Sequence, residues 1–433
     1  MRLLHTSDWH LGRTLHGVDL LAHQAAYVDH LVELARSEDV DAVLVAGDVY
    51  DRAIPPVEAV ALLSDAVARL AEHAHVVLTP GNHDSATRLG FAEPLLRPGV
   101  HLRTRVPDVG TPVALAGRAG DGPGEQVLAY ALPYLDPDAT RHALADGSDD
   151  PAGARGEDPT PDDRPAAPVP LARSHEAVMG AALRRVGADL ARRRAGGFAG
   201  GAVVLAHAFV VGGLASESER DIRVGGVDAV PAGAFGGWGL DYVALGHLHG
   251  PQRVVVPDVV RPGAGQDGGP GTAPVARYSG SPLAFSFSEA RQRKSTALVD
   301  TSRLRAHGDD AVELVPAPVP RRLADLTGTL DELLGAAGEG HVDDWLRVVV
   351  TDPARPTELY ARVKARFPHA LQVTHRPPRP AEREVVHSTG ARRDPLDVAQ
   401  EFVEHVSGSA PTEAEVAVLR AALEDAHAAE RSA

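Results

Sequence analysis

The sequence contains no cysteine. That absence excludes disulfides, thiolate zinc sites and cysteine nucleophiles together, and it fits a reducing compartment. Any metal must therefore sit on histidine, aspartate or asparagine. Aromatic residues make up only 4% of the chain, and with abundant Ala, Gly, Pro and Arg this looks like genome composition and carries no chemistry. Long apolar runs are missing too, since no stretch approaches the roughly 20 residues that a membrane helix needs. The opening Met1-Arg2-Leu3-Leu4-His5 turns polar too soon for a signal peptide, so a soluble, cytoplasmic protein is expected. Basic charge is scarce as well. Lys and Arg number 43 against 59 Asp and Glu, a formal net charge of −16, which argues against gripping nucleic acid by bulk electrostatics. Much of the acid is local, however: Asp146, Asp149, Asp150, Glu157, Asp158, Asp162 and Asp163 stand close together against Arg155 and Arg164. Carboxylates that bind cations also count as negative until the metal arrives.

With 433 residues, the chain exceeds one ordinary domain, and a large catalytic domain with one or two smaller modules is expected. The first half alternates short aliphatic runs with amphipathic stretches, the pattern of strands and crossover helices in an α/β sandwich. Leu3-Leu4 opens a strand and residues 42–46 form a buried one; residues 20–37 and 57–73 place apolar side chains at helical spacing. Further strands are expected at 76–78, 127–132, 202–206, 242–245 and 275–278. Residues 146–170, rich in Pro, Gly, Ala and Asp, form a flexible insertion or surface loop, and 262–274 a second loop. A helix over 175–194 ends in Arg192-Arg193-Arg194, which either favours the helix C-terminus or touches phosphate. The three prolines in 315–321 suggest a hinge. Beyond it, a helix over 325–334, strands at 345–350 and 370–374 and a helix over 356–367 suggest a small α/β cap. Two helical patterns, 395–406 and 412–428, close the chain; their apolar faces either pack on their own protein or dock a partner. The expected division is a catalytic domain at 1–315, a cap at 321–390 and a helical pair at 394–433.

Chemistry concentrates in five short segments, each just after an expected strand: Ser7-Asp8-Trp9-His10, Gly47-Asp48-Val49-Tyr50-Asp51-Arg52, Gly81-Asn82-His83-Asp84, Ala206-His207 and Gly246-His247-Leu248-His249. Sheets of this class build their sites at the carboxyl ends of strands. Asp8 and His10 are two apart, so if the strand conformation persists, both project to one side and clamp one ion; His247 and His249 repeat the spacing. A borderline cation such as Mn²⁺ or Fe²⁺ accepts this mixture of imidazole and carboxylate, whereas Ca²⁺ or Mg²⁺ prefers an all-oxygen cage. The glycines let the backbone turn sharply so that the next ligand points into a shared cleft.

This ordered set resembles the calcineurin-like metallophosphoesterase superfamily, and Ser7 to His10 with Gly81 to Asp84 matches its signature. The resemblance implies an α/β (α+β) two-sheet sandwich flanked by helices and a pair of divalent ions. One ion would be held by Asp8, His10, Asp48 and His249. The other would be held by Asp48, Asn82, His207 and His247, with Asp48 bridging. His83 matches the catalytic acid and Asp51 the residue that orients it. Two cations roughly 3.5 to 4 Å apart activate water and neutralise charge on the phosphoryl oxygens, and a histidine beside them can protonate the leaving oxygen. Arg52 is a candidate for a phosphoryl oxygen; an Asp51 salt bridge and a plain surface role are the alternatives.

Flanking residues narrow the family. Met1 to Gly12, Val45 to Asp51, Gly81 to Ser85, Tyr242 to His249 and Tyr278 to Phe287 resemble the SbcD family, the nuclease subunits of bacterial SbcCD complexes, over roughly residues 1 to 300. The resemblance implies a Mn²⁺-dependent exonuclease and endonuclease that processes double-stranded DNA ends and hairpins in DNA repair. Its partners would be an SbcC-type coiled-coil ATPase, docked by the terminal helices, and a second copy in a homodimer within a heterotetramer. The cap would contact DNA. Two departures stand out: archaeal and eukaryotic relatives carry a histidine where Asp51 stands, and the 146–170 insertion is unlike the family pattern. A small-molecule or cyclic-nucleotide phosphodiesterase and a non-catalytic scaffold are the alternative readings.

Overall fold

The computed structural model describes residues 1–117, 125–145, 169–219, 229–261, 273–378, 394–407 and 409–432. Nearly all of the expected insertion, and most of the second loop, lie outside the described residues. Contacts divide the chain into two units, Met1–Ala324 with Asp343–Trp345, and Asp325–Val342 with Leu346–Ala433. Among the described residues no helix is long and apolar enough to cross a membrane.

In the first unit, two six-stranded sheets face each other. In one, Arg2–Thr6 pairs in parallel with Ala42–Ala46, which continues through His75–Thr79 to Val100–Leu102. On its other side it pairs antiparallel with Ser295–Asp300, followed by Val312–Pro316. The second sheet also has four parallel strands, Gln126–Ala131, Gly201–His207, Tyr242–Gly246 and Val275–Tyr278, but its antiparallel strands Val113–Ala116 and Gln252–Val254 lie at opposite edges. Parallel strands covered on both faces read as continuous apolar runs, and Ala42–Ala46 is buried at every position.

Strand alternation sorts these side chains into layers. Leu3, Leu44, Val77, Val203, Leu205 and Ala244 meet between the sheets. Leu4, Val43, Val45, Val76 and Leu78 face outward under helices Leu21–Ser37 and Val57–Leu70, which bury Tyr27, Val28, Leu31, Leu63 and Leu70 against them. The helix His175–Ala195, capped by the Ser174 side chain, covers the other sheet with Val178, Met179, Leu183, Val186 and Leu190. Each such side chain contributes about 1.5–3 kcal/mol on burial.

The 315–321 segment begins at the end of a strand and continues without strand or helix. Val312–Pro316 is an edge strand paired with Ser295–Asp300, and an edge is where a strand tolerates proline. In the second unit, the three-stranded sheet runs in the order Leu323–Gly328, Trp345–Val350, Ala370–His375. The expected helix over 325–334 is thus half strand. Helix Leu330–Leu334 starts only at Thr329, whose hydroxyl and Glu332 form a capping box. Helix Leu359–Arg366 lies between the second and third strands of this sheet in sequence, and Pro395–Ser407 and Glu413–Ser432 end the chain.

The two sheets of the first unit come closest at their carboxyl ends. A methyl group built on Gly246 would lie 1.8 Å from the Ala46 carbonyl oxygen, and one on Gly81 would lie 2.1 Å from Asp48 Oδ1. Gly246→Ala should therefore cost about 1–3 kcal/mol or more. Gly180→Ala, inside helix His175–Ala195 with only the tip of Arg184 at 3.8 Å, should gain about 0.5–1 kcal/mol. Urea midpoints for the two variants should move in opposite directions.

Candidate metal centre

Every segment singled out in the sequence lies at the carboxyl end of a strand, and together they draw on both sheets. The route into the site differs from strand alternation. The first strand ends at Thr6, and Asp8 and His10 take left-handed backbone angles of φ 53° and 44°; Asp48 follows at 47° and His247 at 106°. Non-glycine residues held there cost on the order of 1–3 kcal/mol each. The cost is met by hydrogen bonds that zip the loops together. Asp8 and His10 donate their amides to the carbonyls of Gly47 and Asp48, both at 3.0 Å, and Leu11 donates to Val49 at 2.9 Å. The buried Gln24 side chain donates to the carbonyls of Trp9 and His10 and accepts from the Gly12 amide. The Asp84 carboxylate accepts from the amides of Val49, Tyr50 and Gly81 at 2.8–3.0 Å, binding the second loop to the third. Asp84 belongs to the quoted motif but had no role in the sequence reading.

The functional atoms converge. Potential ligand atoms of Asp8, His10 and His249, of Asp8, Asp48 and His207, and of His10, Asp48 and His83 lie within 4.8 Å of one another in each set. His10 Nε2 and His249 Nε2 face each other at 3.2 Å. Two imidazoles bound to one ion at about 2.0–2.1 Å would sit at nearly that separation. On the other side His207 Nε2 lies 3.0 Å from Asn82 Oδ1 and 3.4 Å from Asp48 Oδ2, and His10 Nε2 lies 3.6 Å from Asp48 Oδ2. Asp48 is thus common to both groups. His207 Nδ1 donates to the Ala46 carbonyl at 3.0 Å, which leaves Nε2 as the coordinating nitrogen. His247 joins none of the three sets; its amide donates to the Asp8 carboxylate and its ring lies 5.4 Å from that of His207. A hard-and-borderline donor set of carboxylate, amide oxygen and imidazole suits divalent ions such as Mn²⁺ or Zn²⁺.

His83 occupies a different position. Its side chain is 14% exposed, against 1% for His10 and 0% for His207, so it is the accessible imidazole of the group. Its Nδ1 donates to the main-chain carbonyl of Asp51 at 2.7 Å and its Nε2 lies 4.0 Å from Asp48 Oδ2. The orienting contact therefore comes from the Asp51 backbone and not from its carboxylate. That carboxylate lies 3.5 Å from Arg13 and 3.7 Å from His10 Nδ1. Arg52 is exposed beside Asp51. Arg13, unremarked in the sequence, bonds the Ser218 carbonyl and stacks over Phe285, whose ring edges onto His10 and His249. The Arg192–Arg194 cluster serves the helix: Arg192 and Arg193 pair with Asp189, and Arg194 bonds the Phe198 carbonyl.

Burial without cations distorts the protonation of these groups. It pushes the Asp8 carboxyl up and holds His10 well below its ordinary value. For His207 burial acts downward, yet the adjacent Asp48 carboxylate prevails and raises it to about 9. This raised value stabilises the metal-free fold fully below about pH 6.5, and the gain is lost as pH rises through about 9. A coordinating imidazole must shed that proton. Divalent-ion uptake near pH 7 should therefore release protons, and affinity should climb with pH up to about 9. Titration calorimetry in buffers of different ionisation enthalpy reads this directly; a heat independent of buffer would contradict it.

Known proteins resemble the chain in two regions. The calcineurin-like phosphoesterase family matches residues 1–134, and the family described as Type 5 capsule protein repressor C-terminal domain matches residues 319–407. The SbcD subunit of the nuclease SbcCD from Bacillus subtilis (strain 168) is 34% identical over 314 residues, which cover 69% of this chain and 66% of the relative, just under two thirds of its length. A solved structure, that of TT1561 from Thermus thermophilus, aligns with 73% of this chain and 98% of its own at 14% identity and a TM-score of 0.37, too remote to bear on detail. The chain belongs to the SbcD family of calcineurin-like phosphoesterases.

Proposed function

We propose that the chain is the nuclease subunit of an SbcCD-type complex, a two-metal phosphodiesterase that processes double-stranded DNA ends and hairpins. The convergence of Asp8, His10, Asp48, His207 and His249, with the accessible His83 beside them, carries this reading. Asp8, His10 and His249 would hold one divalent ion, Asn82, His207 and His247 the other, and Asp48 would contribute to both. Bound ions, Mn²⁺ by preference, would activate water and offset charge on the phosphoryl oxygens. The chain's own residues supply the rest. Asp48 Oδ1 accepts the His83 amide at 2.9 Å, so the carboxylate between the metal groups also fixes the loop that carries the acid. With Nδ1–H committed to the Asp51 carbonyl, His83 Nε2 is the atom that hands a proton to the leaving oxygen. Arg13, beside the Asp51 carboxylate, and the exposed Arg52 would offer positive charge to a phosphodiester backbone.

The net charge of −16 favours a division of labour in which a partner provides most of the DNA grip. The terminal helices support such a partner: Val398, Phe402 and Val406, spaced four apart on Pro395–Ser407, are 47–68% exposed, as is Val418 on Glu413–Ser432 at 69%. An apolar helical face of this kind suits docking to the helices of a coiled-coil ATPase. Ile54, Val57, Phe91 and Leu95 are exposed on the catalytic unit and support a homodimer.

His83→Ala should lower Mn²⁺-dependent cleavage of a blunt or hairpin duplex by about 10²–10⁴-fold while calorimetry still counts two ions. Undiminished cleavage would remove His83 from the mechanism, and uptake of fewer than two ions by the unaltered chain would favour a scaffold. Deleting residues after Arg321 should abolish DNA processing with the ATPase subunit; a phosphodiesterase of small molecules would keep its activity.

A further inference from the structure

The segment Tyr278 to Phe287, which resembles the SbcD family, and the residues after it to Lys294 contribute none of the candidate ligands and no proton donor, and their side chains nevertheless converge on the candidate metal centre from behind. Ser279 Oγ lies 2.9 Å from Ser7 Oγ, which bonds the Asp8 carboxylate. The Phe285 ring packs 5.2 Å from that of His10 and 5.4 Å from that of His249. The deepest member is Glu289, whose side chain is wholly buried and pairs with the buried Lys294.

Between Glu289 and His249 stands Ser218. Its hydroxyl bonds Glu289 Oε1 and lies 2.7 Å from His249 Nδ1. Glu289 Oε1 is itself 3.4 Å from that nitrogen. A carboxylate only accepts hydrogen bonds, so the single Ser218 proton goes to Glu289, and the serine lone pair must receive a proton from Nδ1. His249 is thereby fixed as the tautomer whose free lone pair sits on Nε2, the nitrogen facing His10. Burial alone would push the Glu289 carboxyl up, but the His249 contact and the Lys294 charge hold it well below the usual range. Lys294 Nζ also donates to the His249 carbonyl and to Ser281 Oγ, both at 2.9 Å, and to Gln292 at 2.7 Å. The His249 amide donates to Glu219 at 2.8 Å. Ring, amide and carbonyl of one ligand are all clamped.

For His207 a neutral carbonyl, that of Ala46, does the orienting. Burying an ion pair to do the same for His249 is costly, and what a carboxylate adds over a carbonyl is negative charge behind the ring, which makes Nε2 a stronger donor. We infer that Glu289, acting through Ser218, is a positioning residue for His249 that fixes its tautomer and strengthens its hold on one of the two divalent ions, with Lys294 compensating the buried charge. This rests on the two-ion reading of the site.

Three variants test it by Mn²⁺ titration calorimetry and by thermal melting of the metal-free protein. Ser218→Ala should weaken one of the two sites about 10-fold, with the other site and the metal-free melting temperature unchanged. Glu289→Gln with Lys294→Met removes both charges together, so no lone charge is left buried. The new amide can donate to Ser218 and reverse the chain of hydrogen bonds, and one site should weaken by up to about 100-fold. Ser218→Thr keeps the hydroxyl and should bind within a few-fold of the unaltered chain. Two sites of unaltered affinity in both Ser218→Ala and the double variant would overturn the assignment. So would equal weakening of both sites accompanied by a lower metal-free melting temperature, which is what a purely structural role gives. These outcomes leave the proposed function standing; failure of the unaltered chain to bind two ions would remove both.

Discussion

At Gly246 and Ala46 the ends of two strands, one from each sheet, approach until not even a methyl group fits between them, and the site depends on that approach. Both sheets deliver candidate ligands: Asp8, His10, Asp48 and Asn82 follow strands of one, His207, His247 and His249 end or follow strands of the other. Neither half has the donors to hold a pair of ions. Close packing of backbone against backbone, permitted by glycine, turns two half-sites into one.

That closeness creates an electrostatic problem which the surrounding protein addresses from several sides. Carboxylates and imidazoles, normally hydrated, are buried together at 0–4% exposure. Isolated charges in such a place are expensive, and they persist only where partners compensate them. Within the chain, the compensation is partial: His207 takes a proton from solution to balance Asp48, and Asp84 collects three amides. Divalent cations, where bound, would offset the remaining negative charge, and the buried Glu289–Lys294 pair shows the same balance one layer further out.

Much of this was legible in residue order. Loops that begin with glycine and continue into Asp, Asn or His after apolar runs announced the strands and the side chains that converge beyond them, because buried strands have few other ways to read. Helices Leu21–Ser37 and Val57–Leu70 showed their 3.6-residue spacing for the same reason, a single face turned to a sheet. What stayed hidden depends on distant partners. Ser218 and Glu289 are 71 residues apart, and nothing local marks either as a support for His249. The left-handed angles at Asp8, His10 and Asp48 had a faint local signal, since Asp, Asn and His tolerate that region better than most residues, but strand continuation was the simpler reading. Pro316 ends an edge strand, a position that tolerates it, and the Thr329–Glu332 capping box, which marks the true helix start, went unread.

The first strand, Arg2–Thr6, lies between Ala42–Ala46 and Ser295–Asp300, so its neighbours are separated by most of the catalytic unit. At ribosomal speeds of about 5–20 residues per second, the roughly 250 residues between them take about 12–50 s to emerge. For the earlier part of that interval, until residues 207 and 249 emerge, the nascent chain carries Asp8, His10 and Asp48 without the imidazoles of His207 and His249. Completion of the candidate metal centre is thus tied to late translation, and a truncated product released early would lack the donors of the second sheet.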